Sequence, residues 1–171
     1  MKRKTKILLA VLSAALVVFA VFCVQTSKII GEEGLIAMAR QEIKNLADIE
    51  TIEIKIAGKS SIGSESHLFW FITGNEHQMH RYVPMEFTEL GDNEYEFVRK
   101  YSAFERGQDI FAVLWHHSYS FVVNNPDCKS ISVWGQRGET KVAVDEIPFV
   151  YHYPGLPGEY KFFDKEGNEI R

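Results

Sequence analysis

The chain has 171 residues, of which 46% are hydrophobic and 13% aromatic, and its net charge is −4. This length and apolar content suffice for the core of one domain, and no internal repeat or low-complexity segment is present. The acidic balance argues against nucleic acid and against anionic lipid as partners.

The N-terminus carries the most informative segment of the sequence. Lys2, Arg3, Lys4 and Lys6 precede an uncharged apolar run, residues 7–24. As a helix this run spans roughly 27 Å, which matches the hydrocarbon thickness of a bilayer. Basic residues stay on the cytoplasmic side, so the rest of the chain is directed outside. We therefore predict a cytoplasmic n-region at residues 1–6, a single-pass transmembrane signal anchor at 7–24, a linker at 25–31 and one extracytoplasmic β-rich domain at 32–171.

Cleavage of this leader is the alternative to anchoring. Signal peptides have a shorter apolar core and small residues at the cleavage site, whereas Phe22, Cys23 and Val24 end the run here. Secretion after cleavage therefore stays the second prediction for localisation, behind the cell membrane. Only Cys128 lies beyond the run, so the domain has no internal disulfide. An exported protein of this kind fits a bacterial envelope, and its organisation is typical of small single-pass proteins of Gram-positive cells.

The first element of the domain is a short amphipathic helix, predicted over residues 32–47. Ile36, Ala39, Ile43 and Leu46 fall at spacings of three, four and three residues and form one apolar stripe. From residue 50 the apolar period changes to two, which is typical of half-buried strands.

Strands dominate the rest of the chain. Residues 68–72 form a continuous apolar run, which favours a central strand covered on both faces, whereas residues 58–66 have the composition of a loop. Pro84 moves its strand toward a sheet edge or a bulge. Hairpin turns are indicated at residues 116–118 and 135–138. Strands are predicted at residues 52–56, 68–72, 83–87, 95–101, 110–115, 119–123, 130–134, 140–144, 149–153 and 160–163, with a terminal pairing at 168–171.

These elements predict a mainly β (α+β) fold. After the transmembrane helix and one short amphipathic helix, about ten antiparallel strands form a β-sandwich or a curled sheet. Because no second helical stretch separates the strands, a parallel sheet is not expected.

Catalytic and metal-binding patterns are weak. His116 and His117 are adjacent but lack a recognised ligand spacing, so neither a metal nor another cofactor is expected. The nucleophile-elbow motif is absent. Several carboxylates, among them Glu86, could still provide an acid–base pair, and Cys128 could act as a nucleophile with a distant histidine.

The three tryptophans, Trp70, Trp115 and Trp134, all lie within apolar strands. We expect them to fill the core, because large aromatic side chains contribute most to the burial of apolar surface. The alternative is that they line a groove on which sugars stack.

Two loops supply the candidate binding residues. A connection between two strands places Glu105 and Arg106 beside a glycine, and an aromatic, Pro- and Gly-rich stretch carries Tyr151 and Tyr153. We predict these four side chains as the binding residues. The alternative is a solvated strand connection and an ordered turn.

The function predicted from these patterns is a non-catalytic interaction module of a bacterial cell envelope, anchored in the membrane through residues 7–24. It binds an envelope protein or a glycan through loops or a sheet edge, and an open edge supplies a mechanism by accepting a partner strand. One alternative is an envelope hydrolase acting on glycan or peptide with carboxylates or Cys128. Another is a ligand-sensing ectodomain that works with a second membrane protein, since only six residues precede the apolar run.

Overall fold

A computed structural model describes residues 29–44, 51–74, 80–105 and 108–170. The predicted n-region and anchor lie outside these residues. Among the residues that the structure describes, no helix has the length and apolar character needed to cross a membrane.

The described chain contains one helix and twelve strands. The helix is α1 (Gly31–Glu42), and the strands are β1 (Ile29–Ile30), β2 (Ile54–Ile62), β3 (Ser66–Thr73), β4 (Arg81–Gly91), β5 (Glu94–Lys100), β6 (Ile110–Trp115), β7 (Ser118–Val123), β8 (Ser130–Gly135), β9 (Gly138–Ala143), β10 (Phe149–Tyr153), β11 (Glu159–Phe163) and β12 (Glu169–Ile170).

The strands form three antiparallel sheets. Sheet A has the order β1-β5-β4-β3-β2, sheet B has the order β10-β7-β6, and sheet C has the order β12-β11-β8-β9. The prediction of a mainly β, antiparallel fold with one short helix is confirmed. The strand number exceeds the prediction partly because β1 has only two residues, too few to show a period of two.

The sheets and the helix stack as successive layers. Leu35 and Ala39 of α1 pack on one face of sheet A against Phe71, Met85 and Phe87. Sheet B covers the opposite face of sheet A, and sheet C covers the far face of sheet B. Sheet B is therefore the inner sheet, with apolar contacts on both of its faces.

Strand β7 shows this double burial residue by residue. Ser120 and Val122 point to sheet A, whereas Phe121 and Val123 point to sheet C, and all four are buried. Successive strand side chains alternate between faces, so a strand between two sheets must be apolar or hydrogen-bonded at every position. Its two serines, Ser118 and Ser120, are accordingly hydrogen-bonded, and its other residues are apolar or aromatic.

Sheets A and B are aligned strand over strand. At one side β10 lies against β2 so closely that a Cβ on Gly58 would lie 2.9 Å from Val150 Cγ2. In the middle β7 lies over β3, where Trp70 Nε1 donates a hydrogen bond to Ser120 Oγ at 2.7 Å.

The third pair is β6 over β4. The Phe111 and Tyr82 rings have centroids 4.8 Å apart, and His116 Nε2, just beyond β6, lies 2.5 Å from Glu86 Oε1. Sheet B ends with this strand, so no strand of the described chain lies above β5 or β1 on that face of sheet A.

The prediction of a loop at residues 58–66 is wrong. Residues 58–62 belong to β2, Ser66 begins β3, and only residues 63–65 form the turn. A bulge between Ile56 and Gly58 interrupts the ladder with β3, which then continues through the polar residues. Ser60 is buried because its hydroxyl bonds to Ser120 Oγ at 2.7 Å across the sheets. The amino-acid composition of residues 58–66 does not indicate this long-range contact.

Of the two predicted positions for Pro84, the sheet edge is wrong, because β4 lies between β3 and β5, whereas the ladder with β5 does have a register shift nearby, between Glu86 and Phe87. Its carbonyl accepts a hydrogen bond from Tyr101 N, beyond the last residue of β5. The missing N–H therefore faces the side where β5 has ended, and the ladder with β3 loses no bond.

The helix is also shorter than predicted. α1 ends at Glu42, and Ile43 leaves the helical conformation with φ −99° and ψ 25°. Its side chain stays buried in the cluster between α1 and sheet A. Residues 45–47 of the predicted helix lie outside the described residues.

Replacing Ser120 with alanine is expected to destabilise the fold. The change leaves the Trp70 indole N–H and the Ser60 hydroxyl without their shared partner in a dry interface, which costs about 1–3 kcal/mol. Urea unfolding followed by tryptophan fluorescence measures the loss. The exposed Ser102→Ala variant is the control and should leave the unfolding free energy within about 0.5 kcal/mol of the parent.

Candidate functional site

The outer edge of sheet B carries unpaired backbone groups. The two-residue turn at His116–His117 joins β6 to β7, so Trp115 faces Ser118 in a hydrogen-bonded pair. The alternation continues along the ladder to Asp109, whose carbonyl accepts from Asn124 N at 2.7 Å. The backbone groups between these positions must therefore point away from β7.

Those outward groups belong to Ile110, Ala112 and Leu114. Within the described part of the chain, no backbone hydrogen bond joins them to another strand. The strand has no charged side chain and no register shift. It thus presents three amide donors and three carbonyl acceptors along one straight edge.

Four of the other five sheet edges of the described chain are protected. β9 carries Glu139 and Lys141, and β2 carries Lys55, Lys59 and a bulge. β1 and β12 have two residues each. β10, the other edge of sheet B, is also uncharged, but it lies over β2, the last strand of sheet A on that side, so no uncovered sheet face lies beside it. Charges, bulges and shortness are the usual means by which proteins prevent strand addition, and β6 has none of them.

A free sheet face lies below this edge. Because β6 lies above β4, the next strand outward, β5, is uncovered on the same face. Glu96 and Arg99 are exposed there, and Ile30 of β1 is 61% exposed beside them. We call the edge of β6 together with this face of β5 and β1 the step.

The inner corner of the step is a buried carboxylate. The Glu86 side chain is 5% exposed and accepts hydrogen bonds from His116 Nε2 at 2.5 Å, Arg99 Nε at 2.8 Å and Tyr101 Oη at 3.0 Å. Burial alone would raise the pKa of Glu86, but these three donors outweigh it and hold the pKa below its ordinary value of 4.5. Glu86 is therefore an ionised carboxylate that joins sheet A to the β6–β7 turn.

The turn itself is strained. His116 and His117 have φ of +45° and +60°, a conformation that two-residue hairpins normally assign to Asn and Gly. Each non-glycine residue in this region costs about 1–3 kcal/mol when the surroundings impose it. The bond from His116 to Glu86 is the contact that holds the turn in place.

Two polar atoms beside this corner lack hydrogen bonds. Trp115 Nε1 and His152 Nε2 are buried, and neither has a hydrogen-bond partner among the described residues. The two rings lie 5.7 Å apart, and burial lowers the pKa of His152, which favours the neutral imidazole. The Trp115 indole contributes to the low pKa of Glu86 through proximity, without the alignment that a hydrogen bond requires.

The predicted binding residues that the structure describes do not form one site. Glu105 pairs with Arg81, with Oε1 3.1 Å from Nε, and Arg106 lies outside the described residues. Tyr151 stacks on Phe121 at 6.1 Å inside the sandwich of sheets B and C.

Tyr153, the fourth predicted residue, extends its hydroxyl over Gly135 of β8. A Cβ at Gly135 would lie 1.9 Å from the Tyr153 hydroxyl oxygen, so glycine is needed there to leave room for the phenol. Tyr153 also lines a cleft at the end of the β8–β9 hairpin. In the sequence, the step is indicated only by the uncharged run of β6. The same run would also be expected of a strand with neighbours on both sides, so it does not identify an open edge.

Residues with catalytic potential are placed mainly for structure. Cys128 is fully buried, and burial raises the pKa of its thiol, which disfavours the nucleophilic thiolate. No group of three or more His, Cys, Asp or Glu within the described ranges could hold a metal ion.

Three neighbouring side chains, Ser61, His67 and Glu89, resemble a nucleophile–base–acid arrangement. His67 Nδ1 lies 2.8 Å from Ser61 Oγ, and Nε2 lies 2.7 Å from Glu89 Oε2 without being aligned for a hydrogen bond. The His67 ring is 4% exposed and lies edge-on to Phe69 and Tyr95. This packing leaves a substrate carbonyl no access to the His67 ring. We therefore assign these three side chains to stabilisation of neighbouring strands.

Comparisons with protein-family models, with curated proteins and with solved structures find no match to this chain.

Removing the charge of Glu86 is expected to change how stability depends on pH. The folded pKa lies below the ordinary value, so its contribution is present above about pH 4.5 and is lost as the pH falls toward the folded pKa. Glu86→Gln should cost about 2 kcal/mol at pH 7. The difference from the parent should shrink below about pH 4.5.

Urea unfolding at a series of pH values measures this difference. Glu96→Gln, on the exposed face of β5, is the matched control and should follow the parent at every pH. A Glu86→Gln variant whose deficit stays constant down to pH 3 would contradict an ionised Glu86.

Proposed function

We propose that this protein is a membrane-tethered, extracytoplasmic interaction module that receives an extended segment of a partner protein at the step. The partner strand pairs with the outward backbone groups of β6 and extends sheet B by one strand. The observation that carries the proposal is the unprotected edge of β6 beside the uncovered face of β5 and β1, a combination that no other sheet edge of the described chain has.

Backbone pairing supplies the affinity in this mode of recognition, and side-chain pockets supply the specificity. A strand added to β6 would lie about 4.8 Å farther out, directly above β5, at the usual separation of about 10 Å between packed sheets. Its alternate side chains would face Arg99, Glu96 and Ile30. Three of the exposed large apolar side chains, Ile30, Val98 and Leu114, lie on the three strands that bound the step.

The geometry favours a single strand over a second copy of the chain. Antiparallel pairing of β6 with its copy requires a two-fold axis perpendicular to sheet B. That axis places both copies of sheet A in one layer. β4 of the second copy would then occupy the position of β5 in the first, because β4 lies under β6 in each. The two sheets overlap, whereas a lone extended segment fits.

The strained turn fits this role. His116 fixes the end of the β6–β7 hairpin to Glu86 of sheet A, so the edge keeps its height above β5 before a partner arrives. A preformed edge avoids part of the ordering cost of association.

Blocking the edge with one charge is expected to prevent binding. Leu114 is 53% exposed and follows Ile110 and Ala112 on the face of β6 that points toward sheet C. Leu114→Lys should therefore fold normally while giving the edge a charged side chain of the kind that opposes strand addition. The full-length chain with a photo-crosslinkable residue at Val98 is irradiated in intact cells. Leu114→Lys should lower the yield of the crosslinked adduct roughly fivefold or more.

Leu90→Lys is the matched control, because Leu90 is 54% exposed on β4, away from β6. It should leave the adduct unchanged. Mass spectrometry of the adduct should map the contact to an extended segment of another protein. Equal adduct yields in the two lysine variants, or an adduct with a second copy of the chain, would refute the proposed mode of binding.

The tether is tested separately. A reporter fused after Arg171 that is active only outside the cytoplasm should give signal in membrane fractions, because the cluster at Lys2–Lys6 stays inside. The intact mass of the chain should retain residues 7–24. A shortened chain found in the medium would instead support the secreted form.

A further inference from the structure

The outer face of sheet C carries the tryptophan that is not fully buried. Trp70 and Trp115 have no exposed surface, whereas Trp134 on β8 is half-buried. Ile131 and Val133 point inward to sheet B, so Trp134, one position farther along the strand, points to the outside. Sheet C is the last layer of the described chain, and no described sheet or helix covers this face.

Carboxylates flank the ring on both sides. The cross-strand neighbours of Trp134 are Glu139 on β9 and Glu159 on β11, and both are exposed. Directly opposite residues on one sheet face have Cβ atoms about 5 Å apart. The Trp134 indole thus lies between two carboxylates that can accept hydrogen bonds.

The next row on the same face is cationic. Lys141 and Lys161 flank the small, buried Ser132. Lys161 Nζ lies 3.2 Å from Glu159 Oε1, which keeps the two rows connected. Two carboxylates and two ammonium groups balance, so the face attracts neither a polyanion nor a polycation, yet it offers many donors and acceptors.

A cleft opens at the end of the strand that carries Trp134. It has a volume of about 500 Å³ and is lined by Gln136, Arg137, Tyr153, Pro154, Gly155 and Leu156. The loop on its far side is fixed to β8, because Gly158 N donates to Trp134 O at 2.8 Å. The cleft is therefore attached to β8, the strand that carries Trp134.

We propose that this outer face binds an uncharged, β-linked polysaccharide, with one sugar ring stacked on Trp134. The CH face of a pyranose packs on the indole, and its hydroxyls donate to Glu139 and Glu159 and accept from the lysine row. An extended glycan suits an open sheet face, and its next residues reach the cleft beside Tyr153 and Arg137. The site is separate from the step and independent of the function proposed there.

Quenching of tryptophan fluorescence tests the proposal directly. Trp70 and Trp115 are buried, so acrylamide should quench mainly Trp134. Hexamers of β-linked N-acetylglucosamine and of β-linked xylose are the probes, and at least one should shield Trp134 in a saturable way. A maltohexaose, which is α-linked and curved, and a polyglutamate are the controls and should not shield it.

Substitutions assign the binding to this face. Trp134→Ala should weaken binding of the β-linked hexamer at least about tenfold, as measured by calorimetry, and Trp134→Phe should retain most of it. Glu139→Lys, at an exposed position, should also weaken binding and serves if Trp134→Ala unfolds. Leu114→Lys should bind like the parent, which separates this site from the step.

Two results would overturn the proposal. One is the absence of shielding by both β-linked hexamers at millimolar concentration while the protein remains folded. The other is binding that survives both Trp134→Ala and Glu139→Lys unchanged. Neither result bears on strand addition at β6.

Discussion

The burial of sheet B on both faces is the constraint on which the rest of the structure depends. A strand in such a sheet cannot carry a charged side chain on either face without burying it, and an isolated buried charge is costly. Edge strands are usually protected by charged side chains. β6 lies at the edge of an inner sheet, so this protection is available only at Leu114, its one exposed position, and its sequence Ile-Phe-Ala-Val-Leu-Trp is uncharged throughout. The open edge follows from the layering of the fold.

The two interfaces of sheet B are built differently. Toward sheet C the contacts are mainly aromatic, with Phe121 of sheet B near Tyr160 and Phe162 of sheet C. Aromatic packing of this kind tolerates small shifts, because it depends on area more than on direction.

Toward sheet A the interface contains hydrogen-bonded polar links instead. They join Ser120 to Ser60 and Trp70, Glu86 to His116, and Tyr82 to Asp109 and Asn124. A buried polar group costs free energy unless its partner is in place, so each link disfavours a shifted register of sheet B on sheet A. The height of the step is fixed by these links, since a slip by one strand would cover β5 and remove the exposed face.

The sequence predicts elements whose pattern is local. The run at residues 68–72 was identified as a central strand because every position is apolar, and the structure places it in the interior of sheet A with all of its residues buried. The hairpins at residues 116–118 and 135–138 were found from their turn residues. In both cases the determining residues are neighbours in the chain.

Features that depend on stacking were missed. Pro84 lies inside a sheet because a neighbouring strand ends beside it, and Ser60 belongs to a strand because Ser120 bonds to it from another sheet. The same limit applies to the site. The predicted residues Glu105 and Tyr151 pair with Arg81 and Phe121, and the step is visible only once β6 is known to lie above β4.

The layered order also separates the two surfaces on which the proposals rest. The step is formed by sheets A and B, and Trp134 lies on the far side of sheet C. Because the inner face of sheet C packs on sheet B, a strand added to β6 extends sheet B sideways without approaching the outer face of sheet C. Under the two proposals a protein segment and a glycan are held at the same time, and a pull between them passes from β6 to sheet C through the aromatic contacts between sheets B and C.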